Sequence, residues 1–398
     1  MSSSVLDPSP TEPLVIDRSM PDSPANRQPL TANPKTILVG PVYPYRGGVS
    51  YCTVELAKQL PGVDVISFSR QFPRALYPGK QDLDLTLPSF HARRLLDILN
   101  PLTWLRTALT IRREKPEALV LVWYIWVWAL PYLTILAFLP RRTRVILQCH
   151  NISHKEPAFW KNWLTNVVLR RGDALVVHAK TEAEDAKPRV KSSRTRVVTS
   201  FLPVHEMGGG TIPTRDEARR ALGLHGKVAL FFGHLRPFKA LDVTLRAWRL
   251  VGRDVTLVVA GQAWWKSEEE YRELAKGLDN VRLDFRFIPD AEIATYFAAA
   301  DVVLAPYRVE AQSGVALTSF HFARPVIASA VGGLPEIIEE GRTGMLIPPE
   351  DPAALANAVD AFFARTDRET MERHAADAAR KYSWEEYGAV YRRLVAGE

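Results

Sequence analysis

Apolar and polar positions are grouped in short blocks along this chain, and the pattern of blocks restarts once. Residues 36–40 form an apolar run ending in Gly40, which reads as a buried strand feeding a turn. The turn covers 41–48, and 49–60 carries apolar residues at helical spacing. A second strand is predicted at 63–68, and 91–115 reads as one long helix interrupted at Pro101. Further apolar runs at 145–148 and 174–178 add strands with helical segments between them. In the second half, strands are predicted at 228–232, 255–259, 281–285, 302–305 and 326–329. Helices are predicted there at 240–251, 268–278, 291–299, 316–323 and 352–364. Strands alternating with helices argue for βαβ units and a parallel sheet. Because the pattern occurs twice, the fold expected is α/β, with two doubly wound Rossmann-like domains.

Between the halves lies 203–213, with Gly208-Gly209-Gly210, a linker by composition. Residues 1–33 are rich in Ser, Pro, Asp and Asn and read as a disordered tail. The expected division is therefore that tail, a first domain over 34–204, a second over 205–383, and a terminal helix over 384–398. One stretch needs a separate decision, since no charge lies between Glu117 and Arg141, a run long enough to suggest a membrane span. Its strand-like start at 120–124, the interruption at Pro131 and the recurring Tyr and Thr favour a buried strand followed by an apolar helix. Trp123, Tyr124, Trp126 and Trp128 inside it suggest an interfacial membrane contact instead of a span.

The length of 398 residues suits two domains. The net charge of +7 changes the picture only once it is divided. Residues 34–200 carry 25 basic and 12 acidic groups, a surplus of +13, whereas 201–398 carry 24 and 28, a balance of −4. A basic first half calls for an anionic partner: phosphate, nucleic acid or an anionic membrane. Nucleic acid ranks last, because no recognition module is readable. Cys52 and Cys149 stand alone, so neither a disulfide framework nor a zinc site is expected, which fits a reducing compartment. No basic-then-apolar leader is seen at the N-terminus, and a cytoplasmic location is expected.

Three segments carry chemistry. Arg46-Gly47-Gly48-Val49-Ser50 occupies the first strand-to-helix turn, where Gly47 and Gly48 allow close backbone approach and the helix start offers amides to an anion. It satisfies neither the Walker pattern nor GxGxxG, and a tight turn without ligand is the alternative. Phe232-Gly233-His234-Leu235-Arg236-Pro237-Phe238-Lys239 follows a strand directly, so Arg236 and Lys239 can reach both phosphates of a diphosphate. The third segment, 306–325, contains Ser313-Gly314-Val315 at a helix start, a cradle of amides for phosphate, and Glu310 just before it, an acceptor for sugar hydroxyls.

Together these segments resemble glycosyltransferase family 4, the retaining, sugar-nucleotide-dependent enzymes of the GT-B fold. The resemblance covers nearly all of the chain after the tail and is most specific over 232–349. It implies that Arg236, Lys239 and Gly233 clamp the donor diphosphate, that Gly47 and Gly48 face it from the first domain, and that His150 contacts the transferred sugar. The stretches 301–306 and 325–336, with the Gly341-x-x-Gly344 turn, look like the family's donor-site scaffold. Tyr382-Ser383-Trp384 resembles the last helix, which crosses back to the first domain. Family members carry two glutamates separated by seven residues before the Pro-Val-Ile strand; Glu310 matches the first, but Thr318 replaces the second, which normally binds the nucleotide ribose. The glycine after the clamping lysine is Ala240 here.

The resemblance implies a hexosyltransferase with a nucleotide-sugar donor and a lipid-linked or polysaccharide-precursor acceptor. It implies no cofactor beyond the donor substrate and no metal. The basic half and the aromatic stretch add an anionic membrane surface as partner, with the protein peripheral on the inner face of the cytoplasmic membrane. Two other functions fit parts of the pattern: a non-catalytic membrane-associated protein that binds a nucleotide sugar or anionic lipid, and a GT-B-like sugar-nucleotide epimerase.

Overall fold

Two parallel sheets form the frame of the computed structural model, which describes residues 34–73, 83, 89–152, 159–191, 194–204, 212–263, 268–309 and 312–398. The first sheet comprises β1 (Thr36–Val39), β2 (Asp64–Arg70), β3 (Arg93–Asp97), β4 (Ala118–Trp123), β5 (Arg144–Cys149), β6 (Ala174–Val177) and β7 (Arg196–Thr199). Its helices are α1 (Gly48–Lys58), α2 (Pro101–Glu114), α3 (Ala129–Phe138), α4 (Phe159–Leu169) and α5 (Lys180–Val190). Strand order is β3-β2-β1-β4-β5-β6-β7, so the chain reverses direction across the sheet between β1 and β4. Crossovers of one hand then place α1 on one face and α2 to α5 on the other. The buried clusters agree with this: residues of α2 to α5 pack with Ile37, Leu119 and Leu147, whereas those of α1 pack with Leu38, Val120 and Ile146.

The second sheet has β8 (Lys227–Phe232), β9 (Val255–Ala260), β10 (Val281–Asp284), β11 (Val302–Ala305), β12 (Val326–Ser329) and β13 (Gly344–Ile347), in the order β10-β9-β8-β11-β12-β13. Around it lie α6 (Arg215–Leu222), α7 (Leu241–Ala247), α8 (Glu268–Leu274), α9 (Asp290–Ala299), α10 (Gly314–His321), α11 (Leu334–Ile337), α12 (Pro352–Ala364) and α13 (Arg368–Lys381). The last helix, α14 (Trp384–Ala396), leaves the second sheet and packs on the first domain. Its Trp384 ring meets Tyr51 of α1 edge-on at 5.7 Å, Arg392 donates to the Gln59 carbonyl at 3.0 Å, and Arg144 donates to the Leu394 carbonyl at 3.1 Å. One apolar cluster consequently runs through both halves, from Tyr51 and Phe201 to Tyr307, Leu317 and Tyr387. At the crossing, Val204 donates its amide to the Tyr382 carbonyl and accepts from the Trp384 indole, each near 3 Å (2.8 and 3.0 Å). Most of the Gly-rich linker, 205–211, lies outside the described residues.

Two sequence expectations are corrected. Residues 93–97 are not helical but form an edge strand, paired in parallel with β2. Only Leu96 of that strand is buried, and Arg93, Arg94 and Asp97 give it the charge that keeps an edge from pairing further. Arg93 is ion-paired with Asp64 and with Glu114 at 2.6 Å, and Arg94 donates to the Tyr43 carbonyl, so neither belongs to a basic helix face. The second correction concerns the aromatic stretch. Trp123 and Trp128 are buried in the core with Phe68 and Tyr132, which removes them from any membrane contact; Tyr124 and Trp126 are half-buried. No helix among the described residues is long and apolar enough to cross a membrane.

Candidate functional site

Strand carboxyl ends at a reversal of strand order leave a crevice, because the flanking crossover helices diverge to opposite faces. In the first sheet the reversal lies between β1 and β4, and the turn after β1 holds Arg46, Gly47 and Gly48. In the second it lies between β8 and β11, and the turns after those strands hold Gly233 to Lys239 and Ser313 to Val315. All three segments singled out from sequence therefore stand at switch points.

Local geometry explains their composition. Gly233 has φ +103°, and a Cβ there would sit 3.1 Å from Lys239 Nζ and 3.5 Å from Val315 Cγ2. The turn after β8, the lysine and the start of α10 thus converge on one point that only glycine leaves open. Arg236 precedes a single 3₁₀ turn, Pro237–Lys239, and the Lys239 ammonium lies over the Tyr307 ring at 5.1 Å. Arg308 holds this turn from below. Its amide donates to the Phe238 carbonyl at 2.7 Å, its guanidinium donates to the Pro237 carbonyl, and it grips both carboxylate oxygens of Asp242 at 3.0 and 2.8 Å.

At the start of α10, the Ser313 hydroxyl accepts from Ala316 at 3.3 Å, which leaves the amides of Gly314 and Val315 ahead of the first helical bond. Across the crevice, α1 begins without a side-chain cap at Gly47, whose φ of +107° suits glycine and around which a Cβ would meet nothing. Two helix N-termini, each a region of positive potential, thus border the crevice with a cluster of cations. Burial first, and then Lys239, Arg236 and Arg46, push the His234 imidazole down to about 4, so it is neutral at physiological pH. All three cations thus act on His234 from within electrostatic reach. Arg46 does so from the first domain, and its guanidinium rests 4.4 Å from the centre of the Phe287 ring.

The predicted residues divide into three sets. Gly233, Lys239 and Val315 come together, with Ser313 capping the helix that Gly314 and Val315 open; Arg236 lies on the same loop as Lys239, and Gly47 and Gly48 open α1 in the first domain. Thr318 is buried, and its hydroxyl donates to the Gly314 carbonyl at 2.7 Å, so it supports the helix from inside. His150 belongs to another group: it closes β5, its amide donates to the Trp123 carbonyl at 2.8 Å, and its ring faces His178 at 5.1 Å. Glu310 and the neighbours of His150 at 154–156 lie outside the described residues. Among the described residues no trio of His, Cys, Asp or Glu is grouped to hold a metal ion.

Sequence reasoning missed two residues that act between the domains. Phe287 gives Arg46 its partner, and Glu336 accepts the Lys180 amide through both carboxylate oxygens at 3.0 Å, capping α5 from the other domain. The first carries no local signal, and the second was legible only as part of the Gly332-Gly333-Leu334-Pro335-Glu336 turn.

Comparison with known proteins agrees with this geometry. Residues 226–365 match the family described as glycosyl transferases group 1. The chain is 31% identical over 248 residues to a D-inositol 3-phosphate glycosyltransferase of Corynebacterium urealyticum, covering 58% of this chain and 58% of that protein. It is 34% identical over 239 residues to the protein of that name from Geodermatophilus obscurus, covering 55% and 51%. The matched part thus spans little more than half the length of these relatives. Among solved structures, Anabaena HepE in complex with UDP superposes with TM-score 0.71 at 17% identity, covering 92% of this chain and 100% of that one. Sucrose-phosphate synthase from Thermosynechococcus elongatus gives 0.67 at 20% identity, with the same coverage.

Proposed function

We propose that the chain, which has the GT-B fold and matches the group 1 glycosyltransferases over its second half, is a GT4-like enzyme that transfers a hexosyl group from a nucleotide-diphosphate sugar to an acceptor hydroxyl with retention of anomeric configuration. The observation that carries this reading is the meeting of the Lys239 ammonium and the first turn of α10 at Gly233, with Arg236 on the same loop, at the switch point of the second sheet. When the bond from the sugar carbon to the diphosphate oxygen breaks, negative charge grows on that oxygen. Fixed cations and helix-terminal amides stabilise it without reorganising. The acceptor oxygen then bonds to the same face of the sugar carbon, and its proton passes to the departing diphosphate. This route needs no carboxylate nucleophile. His150, at the end of β5, is assigned to the transferred sugar, Glu310 to its hydroxyls, and Gly47 and Gly48 to the phosphates across the crevice. The Thr318 hydroxyl is already donated to the Gly314 carbonyl, which leaves it only an acceptor toward a ribose where the family carries a glutamate.

UDP, which the HepE neighbour holds, is the first donor class to test. The test is a thermal-shift and turnover screen with UDP-, GDP- and ADP-sugars and the matching diphosphates. One diphosphate should stabilise the protein by about 2.7 kcal/mol at a hundredfold excess over its Kd. Arg236→Ala and Lys239→Ala should abolish both that shift and turnover. Absence of stabilisation and turnover with every nucleotide sugar refutes the reading, and release of free nucleotide sugar isomer without a linked product favours the epimerase.

For the acceptor we propose a lipid-linked or polysaccharide-precursor glycan met at the cytoplasmic face of an anionic membrane. The basic surplus of the first domain supports this, as do exposed apolar side chains on the opening turns of α2, α3 and α4: Leu102, Leu130, Phe159 and Trp163. The named relatives carry an anionic polyol phosphate in their name, which suits the same basic side of the crevice.

A further inference from the structure

α14 brings a buried hydroxyl to the place in the first domain where His150 sits. The Tyr387 oxygen lies 2.7 Å from His178 Nε2, accepts from the Gln148 amide at 3.0 Å, and is 3.0 Å from the Tyr391 hydroxyl. His178 follows β6, and its ring stands between Tyr387, at 5.8 Å, and His150, at 5.1 Å. Its other ring nitrogen is bonded to the Cys149 carbonyl, in the peptide that joins Cys149 to His150. Burial pushes His178 down to about 4, so the ring is neutral and one nitrogen donates while the other accepts. Donation to Cys149 leaves Nε2 as the acceptor. Tyr387 must then give its proton to His178, and it takes hydrogen bonds from Gln148 and Tyr391. Each hydrogen bond to Tyr387 and His178 then has one direction, while the Gln148 side-chain oxygen is left without a partner; buried networks of this kind hold their side chains in place.

We propose that Tyr387 is a positioning residue for the sugar-handling end of β5: its hydroxyl fixes the ring of His178, and His178 fixes His150 and the peptide before it. The last helix of the chain thereby sets the geometry of a group in the first domain. An apolar side chain would fill the same volume under α14, so the hydroxyl is there for orientation. This inference rests on the glycosyltransferase reading, with His150 at the transferred sugar.

The test is steady-state kinetics of the full chain, with a nucleotide sugar that the wild type turns over, alongside Tm. Tyr387→Phe should lower kcat by about tenfold or more and leave the donor KM within about twofold. His178→Gln, whose amide oxygen can stand where Nε2 does, should retain more turnover than His178→Leu at equal Tm. Unchanged kcat in Tyr387→Phe, or equal losses in Gln and Leu variants that follow Tm, overturns the proposal. A second readout needs no activity: the ring ¹⁵N shifts of His178 should show an unprotonated Nε2 in the wild type and a changed tautomer population in Tyr387→Phe. If no nucleotide sugar is turned over, the transferase reading fails, and the ring shifts decide the network alone: an unaltered tautomer in Tyr387→Phe overturns it.

Discussion

Ala240 shows how a single position can be legible in type and illegible in strain. Its place after Lys239 belongs to glycine in the resembling family, and the backbone shows why: φ is +58°, the left-handed region where a side chain costs about 1–2 kcal/mol. The methyl is fully buried, which offsets part of that cost. Ala240→Gly should therefore change stability by less than about 1 kcal/mol, whereas Ala240→Val should destabilise by about 2–3 kcal/mol, because branched residues tolerate positive φ worst. Urea unfolding of both variants checks this, and equal midpoints would refute it. The place of Arg236 and Lys239 on the turn after β8 was readable because an apolar run ends directly before it. Thr318 was not, since the bond that turns its hydroxyl toward Gly314 depends on helix geometry. His234 adds a pH effect. Its pKa, about 4 in the folded chain, lies below the ordinary value of 6.5, so the unfolded chain takes up a proton first as pH falls. Stability linked to His234 is complete above pH 6.5 and is lost on acidification toward pH 4, by an amount on the order of 3 kcal/mol. The fall of Tm between pH 7 and pH 4.5 should be smaller in His234→Asn than in the wild type, and equal slopes would show that His234 does not titrate in this way.

Among the elements, the interior strands were readable and the edges were not. β4, β8 and β11 are nearly continuous apolar runs because both faces of a parallel sheet are covered, and such runs stand out in any window. β3 has one covered side, charged ends and apolar residues that continue at helical spacing into α2, so the pattern favoured a helix until β2 supplied a pairing partner. The N-terminus of α5 makes a related point. No side chain of its own caps it, and the cap comes from Glu336 on α11 of the other domain. A carboxylate at that place satisfies an otherwise open amide and meets the positive end of the helix, worth about 1 kcal/mol. In Glu336→Ala the Lys180 amide should exchange with solvent faster and the Tm should fall modestly, while nucleotide affinity stays near wild type. Unaltered exchange at Lys180 would mean that the two domains do not hold this contact in solution.

At the scale of the whole molecule, the charge division gains a geometric meaning. Arg236 and Lys239, the cations proposed for the donor phosphates, lie in the half with a balance of −4, so the surplus of +13 in the first half is left for another surface. Part of it is consumed inside the fold: Arg93 by Asp64 and Glu114, and Arg144 by the end of α14. What remains exposed includes Arg106, Arg112 and Arg113 on α2 and Arg141 and Arg142 after α3. These helices share one face of the sheet, and their opening turns lie along the carboxyl rim, beside the crevice. There Phe159 is 85% exposed and Leu102 69%. Apolar side chains at the rim and cations farther along the same helices are the combination that the proposed contact with an anionic bilayer requires. Sedimentation with vesicles containing anionic lipid should separate the two contributions. Phe159→Asp with Trp163→Asp should weaken binding at every salt concentration, because buried apolar area is insensitive to screening. Arg141→Glu with Arg142→Glu should weaken it mainly at low salt, where each cation near the surface contributes about 1 kcal/mol. Turnover of a water-soluble acceptor should survive both pairs of substitutions, since neither touches the crevice. Equal binding of wild type and both variants to neutral and anionic vesicles would detach this face from the membrane and leave its surplus to the soluble acceptor.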